Sequence, residues 1–218
     1  LEFRRVLFRS TTQTIREWER KMKTSAVITS AGLSSRMGDF KPLLKLGDMT
    51  MIEHIIHTFN ACGVCDIAVV TGHNKDILKE ALSDKNVIIL DNPDYATSQM
   101  FDSAKIGFRY FANRTDRILF TPVDIPLFSE DTVRKLMAED APLVYPSYNN
   151  RKGHPILMDS DTVNRILQAS GEGGLKGALE ECGIRCEYVI TDDPMILKDA
   201  DTPEQYRELI EYYGLRGE

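Results

Sequence analysis

The loop at residues 31–41, with the sequence AGLSSRMGDFK, combines two glycines with two cations directly after the apolar stretch 26–29. Its glycines carry no Cβ, so backbone N–H groups there can approach an anion closely. Arg36 and Lys41 can add charge-assisted hydrogen bonds to phosphate oxygens. The segment therefore predicts a loop that cradles a triphosphate where the chain leaves a buried strand.

This loop differs from the two commonest phosphate-binding patterns. Gly38 is followed by Asp39 instead of a Lys-Ser or Lys-Thr pair, and the spacing GxGxxG is absent. Both differences disfavour a P-loop ATPase and a dinucleotide-binding fold. Taken alone, the segment also fits an ordinary polar turn between a strand and a helix.

Two acidic segments further along the chain could hold a metal ion. Asp124 lies between two prolines in TPVDIPL, where an apolar strand ends, and Asp199 and Asp201 precede TPEQ, the predicted start of the last helix. Mg²⁺ usually takes one or two protein carboxylates together with substrate phosphates, so Asp124 and Asp201 are candidate ligands. Helix capping or a turn is the competing role for these aspartates.

Short apolar runs that alternate with helical patterns must position these loops. The runs cover residues 26–29, 67–71, 87–90, 118–123, 143–145, 155–158 and 187–190. Apolar periodicity and capping signals predict helices near residues 51–62, 74–82, 102–112 and 129–138, and a last helix that begins at Pro203. This alternation predicts an α/β fold with right-handed βαβ units and a mostly parallel sheet, which binds ligands beyond the carboxyl ends of its strands.

Composition narrows the classes of function. The chain has 218 residues, of which 42% are hydrophobic, so it can form one sizeable core. Acidic residues outnumber basic ones by 33 to 27, which disfavours nucleic acid as a partner. No uncharged apolar run approaches the roughly 20 residues of a membrane helix, and no secretory signal pattern is present. We expect a cytoplasmic protein that has no membrane partner.

The ordered pattern of a basic glycine loop, a strand-end aspartate and a late aspartate before TPE resembles the MobA-like NTP transferase family. The resemblance covers about residues 23–209 and is most specific in the first loop. Ser30-Ala31-Gly32 is similar to the loop of the molybdenum cofactor cytidylyltransferase branch, whereas the guanylyl branch has a double glycine. The resemblance implies a single-domain, three-layer α/β/α fold, with a Rossmann-like, mostly parallel sheet of the nucleotide-diphospho-sugar transferase type.

The first residues of the chain do not fit this domain. LEFRRVLFRS has no periodicity that matches the remainder of the sequence, and Met22-Lys23 stands directly before the first predicted strand. We therefore expect residues 1–21 to be an appended or non-native segment, and residues 22–218 to form the nucleotidyltransferase domain.

The resemblance also implies roles for individual residues. Lys41, Arg36 and Asp124 would be catalytic, with Lys41 near the α-phosphate, and Asp124 and Asp201 would coordinate Mg²⁺. Arg151 and His154, in the segment RKGHP, would contact the acceptor. The implied nucleotide-binding residues are Ala31, Gly32, Leu33, Ser34, Ser35, Arg36, Lys41, Gly72, His73 and Ser103.

The implied reaction transfers a nucleoside monophosphate, CMP from CTP, to a phosphorylated acceptor, molybdopterin, and releases pyrophosphate. A molybdoenzyme or a cofactor-handling protein would then be a partner. Gln99, Phe101 and Asp102 stand where the family has small residues, and GEGGLKG at residues 171–177 matches the family only loosely. A sugar-1-phosphate nucleotidyltransferase and a noncatalytic nucleotide-binding domain remain as alternative functions.

Overall fold

A mixed β-sheet forms the centre of the molecule in the computed structural model, which describes residues 22–32 and 40–215. The strands within these ranges are β1 (Thr24–Ser30), β2 (Lys45–Leu46), β3 (Met49–Thr50), β4 (Ile67–Thr71), β5 (Ile88–Asp91), β6 (Arg117–Pro122), β7 (Leu143–Tyr148), β8 (Arg151–Lys152), β9 (Ile156–Asp159) and β10 (Cys186–Ile190). The short pair β2 and β3 forms a separate antiparallel hairpin.

Helices of the described ranges flank this sheet. They are α1 (Met51–Ala61), α2 (Lys75–Ala81), α3 (Met100–Phe111), α4 (Glu130–Ala138), α5 (Ser160–Ile166), α6 (Gly174–Glu181) and α7 (Pro203–Leu215). Two 3₁₀ turns, Lys41–Leu43 and Pro194–Leu197, complete the regular structure. No helix among the described residues is both long and apolar enough to cross a bilayer.

The strand order of the main sheet is β10-β7-β9-β6-β1-β4-β5, and β8 pairs with β7. β1 lies near the centre and pairs in parallel with both β4 and β6. β9 runs antiparallel to its neighbours β6 and β7, so β7 and β10 again point the same way as β6. The carboxyl ends of β1, β4, β5, β6, β7 and β10 therefore share one edge, and only β9 on this path reverses.

Alternating side chains of β1 supply apolar contacts to both faces of the sheet. Ala26 and Ile28 belong to the cluster that includes α1 and α4, whereas Val27 belongs to the cluster that includes α3, α5 and α6. α3 packs very closely on β1, because a Cβ added at Gly107 would lie 2.5 Å from Val27 Cγ1. Helices thus cover both faces, which confirms the predicted three-layer, single-domain α/β fold.

Most predicted elements are present at nearly their predicted positions. β4 matches its prediction residue for residue, and α1 begins with the capping box of Thr50 and Glu53 that the sequence indicated. The predictions did not include α5, α6, β8 or the β2–β3 hairpin. The predicted domain boundary stays a prediction, since residues 1–21 lie outside the described ranges.

Candidate functional site

A cleft of about 180 Å³ opens beyond the carboxyl ends of β1 and β6. Five of the predicted site residues line it, namely Ala31, Gly32, Lys41, Ser103 and Asp124. The other lining residues are Thr29, Ser30, Pro42, Tyr95, Ser98, Gln99, Met100, Pro122 and Val123. The predicted loops after β1 and β6 therefore meet at one cavity.

The charged centre of this cleft joins three distant parts of the chain. Lys41, in the first 3₁₀ turn, donates a hydrogen bond from Nζ to Asp201 Oδ1 at 2.6 Å. The backbone N–H of Ala200 donates to the carbonyl oxygen of Asp124 at 2.9 Å. This bond holds the loop that carries Asp201 beside the end of β6. Lys41, Asp124 and Asp201 thus occupy one charged corner.

The side chains of Thr202 and Gln205 cap the start of α7. The hydroxyl of Thr202 accepts from the backbone N–H of Gln205, and the Gln205 side chain accepts from the backbone N–H groups of Asp201 and Thr202. Gln205 also donates to Asp199 at 2.6 Å. The capping role that competed with metal binding at Asp201 is thus filled by Thr202 and Gln205, and the Asp201 carboxylate pairs with Lys41 instead.

The environment of Asp124 is unfavourable for an isolated carboxylate. Burial raises the pKa of Asp124 to about 6; the positive charge of Lys41 opposes that rise, and the negative charges of Asp201 and Asp199 add to it. Carboxylates crowded in this way, at a cleft, are typical of functional sites and are stabilised by a cation.

The donor set suits a metal that takes few protein ligands. No group of three or more acidic, histidine or cysteine side chains in the described ranges is arranged to hold a metal ion by itself. Asp124 and Asp201 could instead offer two carboxylates beside the phosphates of a substrate, and such a donor set is typical of Mg²⁺ sites.

Gly72 and His73 lie one layer behind the cleft. A Cβ at Gly72 would lie 2.4 Å from Tyr95 Cβ and 3.0 Å from the carbonyl oxygen of Ala31, so only glycine lets these segments approach. The His73 ring lies 5.9 Å from the ring of Tyr95, measured between centroids. Tyr95 itself lines the cleft, so Gly72 and His73 pack against a residue that forms the wall of the cleft.

Asn92 organises one wall of the cleft, and it was not among the residues predicted from the sequence. This buried side chain donates from Nδ2 to the hydroxyls of Ser98 and Ser103, at 2.9 Å each, and accepts from the backbone N–H of Asp94 at 3.0 Å. Ser98 and Ser103 both line the cleft. The available signal was the turn sequence NPD directly after β5, which on its own is typical of any loop.

The two predicted acceptor residues separate in the structure. Arg151 is exposed on β8 and does not line the cleft. His154 lines a second cavity that adjoins the cleft, and its Nδ1 lies 3.4 Å from the carbonyl oxygen of Phe120. Burial lowers the pKa of His154 to about 4, so its imidazole is neutral near pH 7. Leu33, Ser34, Ser35 and Arg36 lie outside the described residues.

Comparisons with known proteins bear on the family and on the fold of the chain. The sequence pattern of the MobA-like NTP transferase domain matches residues 26–186. The molybdenum cofactor cytidylyltransferase of Escherichia coli is 32% identical over 190 residues, which are 86% of this chain and 95% of that enzyme.

Solved structures share the fold. A nucleotidyl transferase from Methanothermobacter superposes with a TM-score of 0.78 at 28% identity, covering 91% of this chain and all of that chain (100%). A Mycobacterium tuberculosis protein in complex with manganese superposes with a TM-score of 0.67 over 87% of this chain and 98% of its own. At 18% identity, this second likeness concerns the fold alone.

Proposed function

The chain belongs to the MobA-like NTP transferase family, and from that premise we propose that it transfers CMP from CTP to molybdopterin and releases pyrophosphate. In this reaction a phosphate oxygen of the acceptor attacks the α-phosphorus, and the bond between that phosphorus and the bridging oxygen of pyrophosphate breaks. The nucleophile is already ionised near pH 7, so no serine, cysteine or histidine needs to be activated.

The observation that carries the proposal is the meeting of Lys41, Asp124 and Asp201 beside Ala31 and Gly32. Transfer of a phosphorus centre depends mainly on positioning and on neutralising the charge that develops on its oxygens. Lys41 would lie against the α-phosphate, and the N–H groups of the first loop would bind the remaining phosphates. Arg36 would add a second cation from the same loop.

Asp124 and Asp201 would hold a Mg²⁺ ion. The bound metal would supply charge neutralisation on the phosphates of the nucleotide. The Mycobacterium protein with the same fold was solved with manganese, which supports a divalent cation in this fold. The ion pair between Lys41 and Asp201 must then rearrange, so that Lys41 turns from a carboxylate to a phosphate.

The choice of CTP and molybdopterin is supported by the name of the Escherichia coli relative and by the loop Ser30-Ala31-Gly32. Gly72, His73, Ser103 and the wall that Tyr95 forms would enclose the base. Arg151 and His154 would face the acceptor side. The cytidylylated cofactor would then pass to a molybdoenzyme or to a protein that handles the cofactor.

Pyrophosphate release tests this proposal directly. The full chain is incubated with CTP, GTP, UTP or ATP, with Mg²⁺, and with molybdopterin or glucose-1-phosphate as acceptor. We expect release with CTP and molybdopterin, and its loss when the metal is chelated. Turnover with sugar phosphate alone would instead identify the alternative enzyme class, and no turnover with any NTP would contradict the proposed activity.

A thermal-shift panel of the four NTPs checks binding apart from chemistry. A ligand that binds only the folded state raises its apparent stability by mass action, by about 2.7 kcal/mol at 100 times its Kd. CTP with Mg²⁺ should give the largest shift. A larger shift with GTP would contradict the cytidylyl assignment while leaving nucleotidyl transfer intact.

A further inference from the structure

The carboxylate of Asp193 joins the two segments of the chain that carry Asp124 and Asp201. One segment runs from Asp124, after β6, into the start of α4, and the other runs from the second 3₁₀ turn to Asp201. Asp193 is only 8% exposed, and it takes no part in the proposed chemistry. A buried carboxylate is costly unless it is well hydrogen-bonded, so the partners of Asp193 indicate what it contributes.

One oxygen of this carboxylate binds the start of α4. Asp193 Oδ2 accepts from the backbone N–H of Ser129 at 2.7 Å and from the hydroxyl of Thr132 at 3.0 Å. The Thr132 hydroxyl has a single proton, so it must accept from the hydroxyl of Thr191, which lies 3.1 Å away. The backbone N–H of Asp193 donates to Thr191 in turn, at 3.3 Å. The network therefore closes on the Asp193 carboxylate.

The other oxygen binds the second 3₁₀ turn. Asp193 Oδ1 accepts from the backbone N–H of Met195 at 3.0 Å and so caps this turn. The backbone N–H of His154 donates to the carbonyl oxygen of Ile196 at 2.9 Å. The turn is thus fixed by hydrogen bonds from two other parts of the fold, and Asp201 stands four positions beyond its end.

The two segments are joined a second time at the cleft itself. There the backbone N–H of Ala200 donates to the carbonyl oxygen of Asp124 at 2.9 Å. Leu127 and Met195 also pack in one apolar cluster with Ala200, but apolar packing is non-directional and does not fix a spacing closely. The directional bonds at Ala200 and at Asp193 therefore prevent the segments from sliding or opening against each other.

We propose that Asp193 is a positioning residue, which holds the carboxylates of Asp124 and Asp201 at the spacing that a shared divalent ion requires. The inference rests on the proposed function, because it presumes that these two aspartates bind Mg²⁺. Mg²⁺ tolerates little departure from octahedral geometry, so a spacing fixed in advance favours its binding. Loss of a group that orients metal ligands typically costs about 10–100-fold in metal affinity or activity.

A thermal-shift titration separates the metal from the nucleotide. The apparent stability of the full chain is measured with CTP in EDTA, and then with CTP at increasing Mg²⁺ concentrations. The additional stabilisation by Mg²⁺ reports on metal binding, and its midpoint gives an apparent metal affinity. We expect Asp193→Asn to raise this midpoint about tenfold. The amide loses one acceptor oxygen and turns an NH₂ group toward a donor, while the shift with CTP in EDTA is kept.

Asp159→Asn is the matched control. Asp159 caps α5 by accepting from the backbone N–H of Thr162 at 2.7 Å, and it lies in neither of the two segments. Both variants lose a carboxylate cap, so a general loss of stability is common to them. We expect the control to keep the Mg²⁺ midpoint of the unmodified protein.

Thr132→Val provides a second test that does not depend on the folding of Asp193→Asn. It removes the hydroxyl that donates to Asp193 and keeps the shape of the buried side chain. We expect its midpoint to rise by about threefold, because the carboxylate keeps its bonds from Ser129 and Met195.

A Mg²⁺ midpoint of Asp193→Asn equal to that of Asp159→Asn would overturn the inference. If Asp193→Asn does not fold, an unchanged midpoint in Thr132→Val would overturn it as well. Either result leaves the proposed function standing, since the unmodified protein still responds to Mg²⁺. An unmodified protein that CTP stabilises equally in EDTA and in Mg²⁺ would instead refute the proposed metal site, and with it the positioning role of Asp193.

Discussion

The two cavities of this molecule are built in different ways. The nucleotide cleft lies at the shared edge where the parallel strands β1 and β6 end, and its key groups are the charged side chains of Lys41, Asp124 and Asp201. The second cavity lies against one face of the sheet, where the reversed strand β9 packs beside β6, and its walls are largely aromatic and aliphatic. Charged side chains thus distinguish the first cavity, and aromatic and aliphatic side chains distinguish the second.

Replacing Asp124 by Asn should produce the largest effect, and it acts only on the charged cavity. We expect pyrophosphate release to fall by at least about 100-fold, because preorganised charge stabilisation of that size is lost when one group is removed. The exposed Asp131, paired with Lys135 on α4, gives the control Asp131→Asn. Near-normal turnover of Asp124→Asn would remove Asp124 from the proposed metal site.

The pH dependence of stability should report on the imidazole of His154 beside the second cavity. His154 has a pKa of about 4 in the folded protein, whereas an unfolded histidine titrates near 6.5. Between these values the unfolded chain binds a proton that the folded state excludes, so stability falls as the pH drops through this window. We expect a loss of about 2–3 kcal/mol by about pH 4.5.

Urea unfolding at about pH 7 and about pH 4.5 measures this loss. His154→Gln should reduce the difference between the two pH values, whereas His57→Gln, at an exposed position of α1, should not. An unchanged pH dependence in His154→Gln would show that other groups cause the acid sensitivity.

Two glycines offer a contrast in packing between the cavities. A Cβ at Gly153 would lie 2.2 Å from the carbonyl oxygen of Ile196, so Gly153→Ala should cost about 1–3 kcal/mol of stability by overpacking. Gly32 has no described atom within 4 Å of such a Cβ, and Gly32→Ala should change stability by less than about 0.5 kcal/mol. Instead, it should weaken NTP binding by keeping phosphates away from the loop. Equal stability losses would contradict this contrast.

The smallest effect is expected for Asp201→Asn. We expect turnover to fall about tenfold, since Asp124 and Lys41 remain, with most of the loss recovered at high Mg²⁺ concentration. The free energy of unfolding should change by no more than about 1 kcal/mol, because the Asp201 side chain is 35% exposed in its ion pair. Asp66→Asn breaks the similar 2.7 Å pair with Lys23 away from both cavities and should leave turnover unchanged. Equal turnover of the two variants would argue against a metal at Asp201.

The charged cavity was largely predictable from the sequence, whereas the apolar one was not. Asp124 and the glycine loop come after apolar runs, and parallel strands bring the segments beyond them to one edge. The walls of the second cavity come from α3, β6, β7, β8, β9 and α6. Residues such as Phe120 and Leu179 look like ordinary core residues in the sequence. Asn92 was missed for a related reason, since a turn asparagine shows no sign of its distant partner Ser103.

The central position of β1 has a consequence for how the protein is made. All seven residues of β1 are buried, and Thr24 aligns with Arg117 of β6. One edge of β1 therefore stays unpaired until β6 has been synthesised. At the usual rate of synthesis of about 5–20 residues per second, this interval lasts roughly 5–20 seconds. During this time the unpaired edge of β1 could bind a chaperone or another nascent copy. Lower growth temperatures or added chaperone should therefore raise the soluble yield more than changes at the exposed surface.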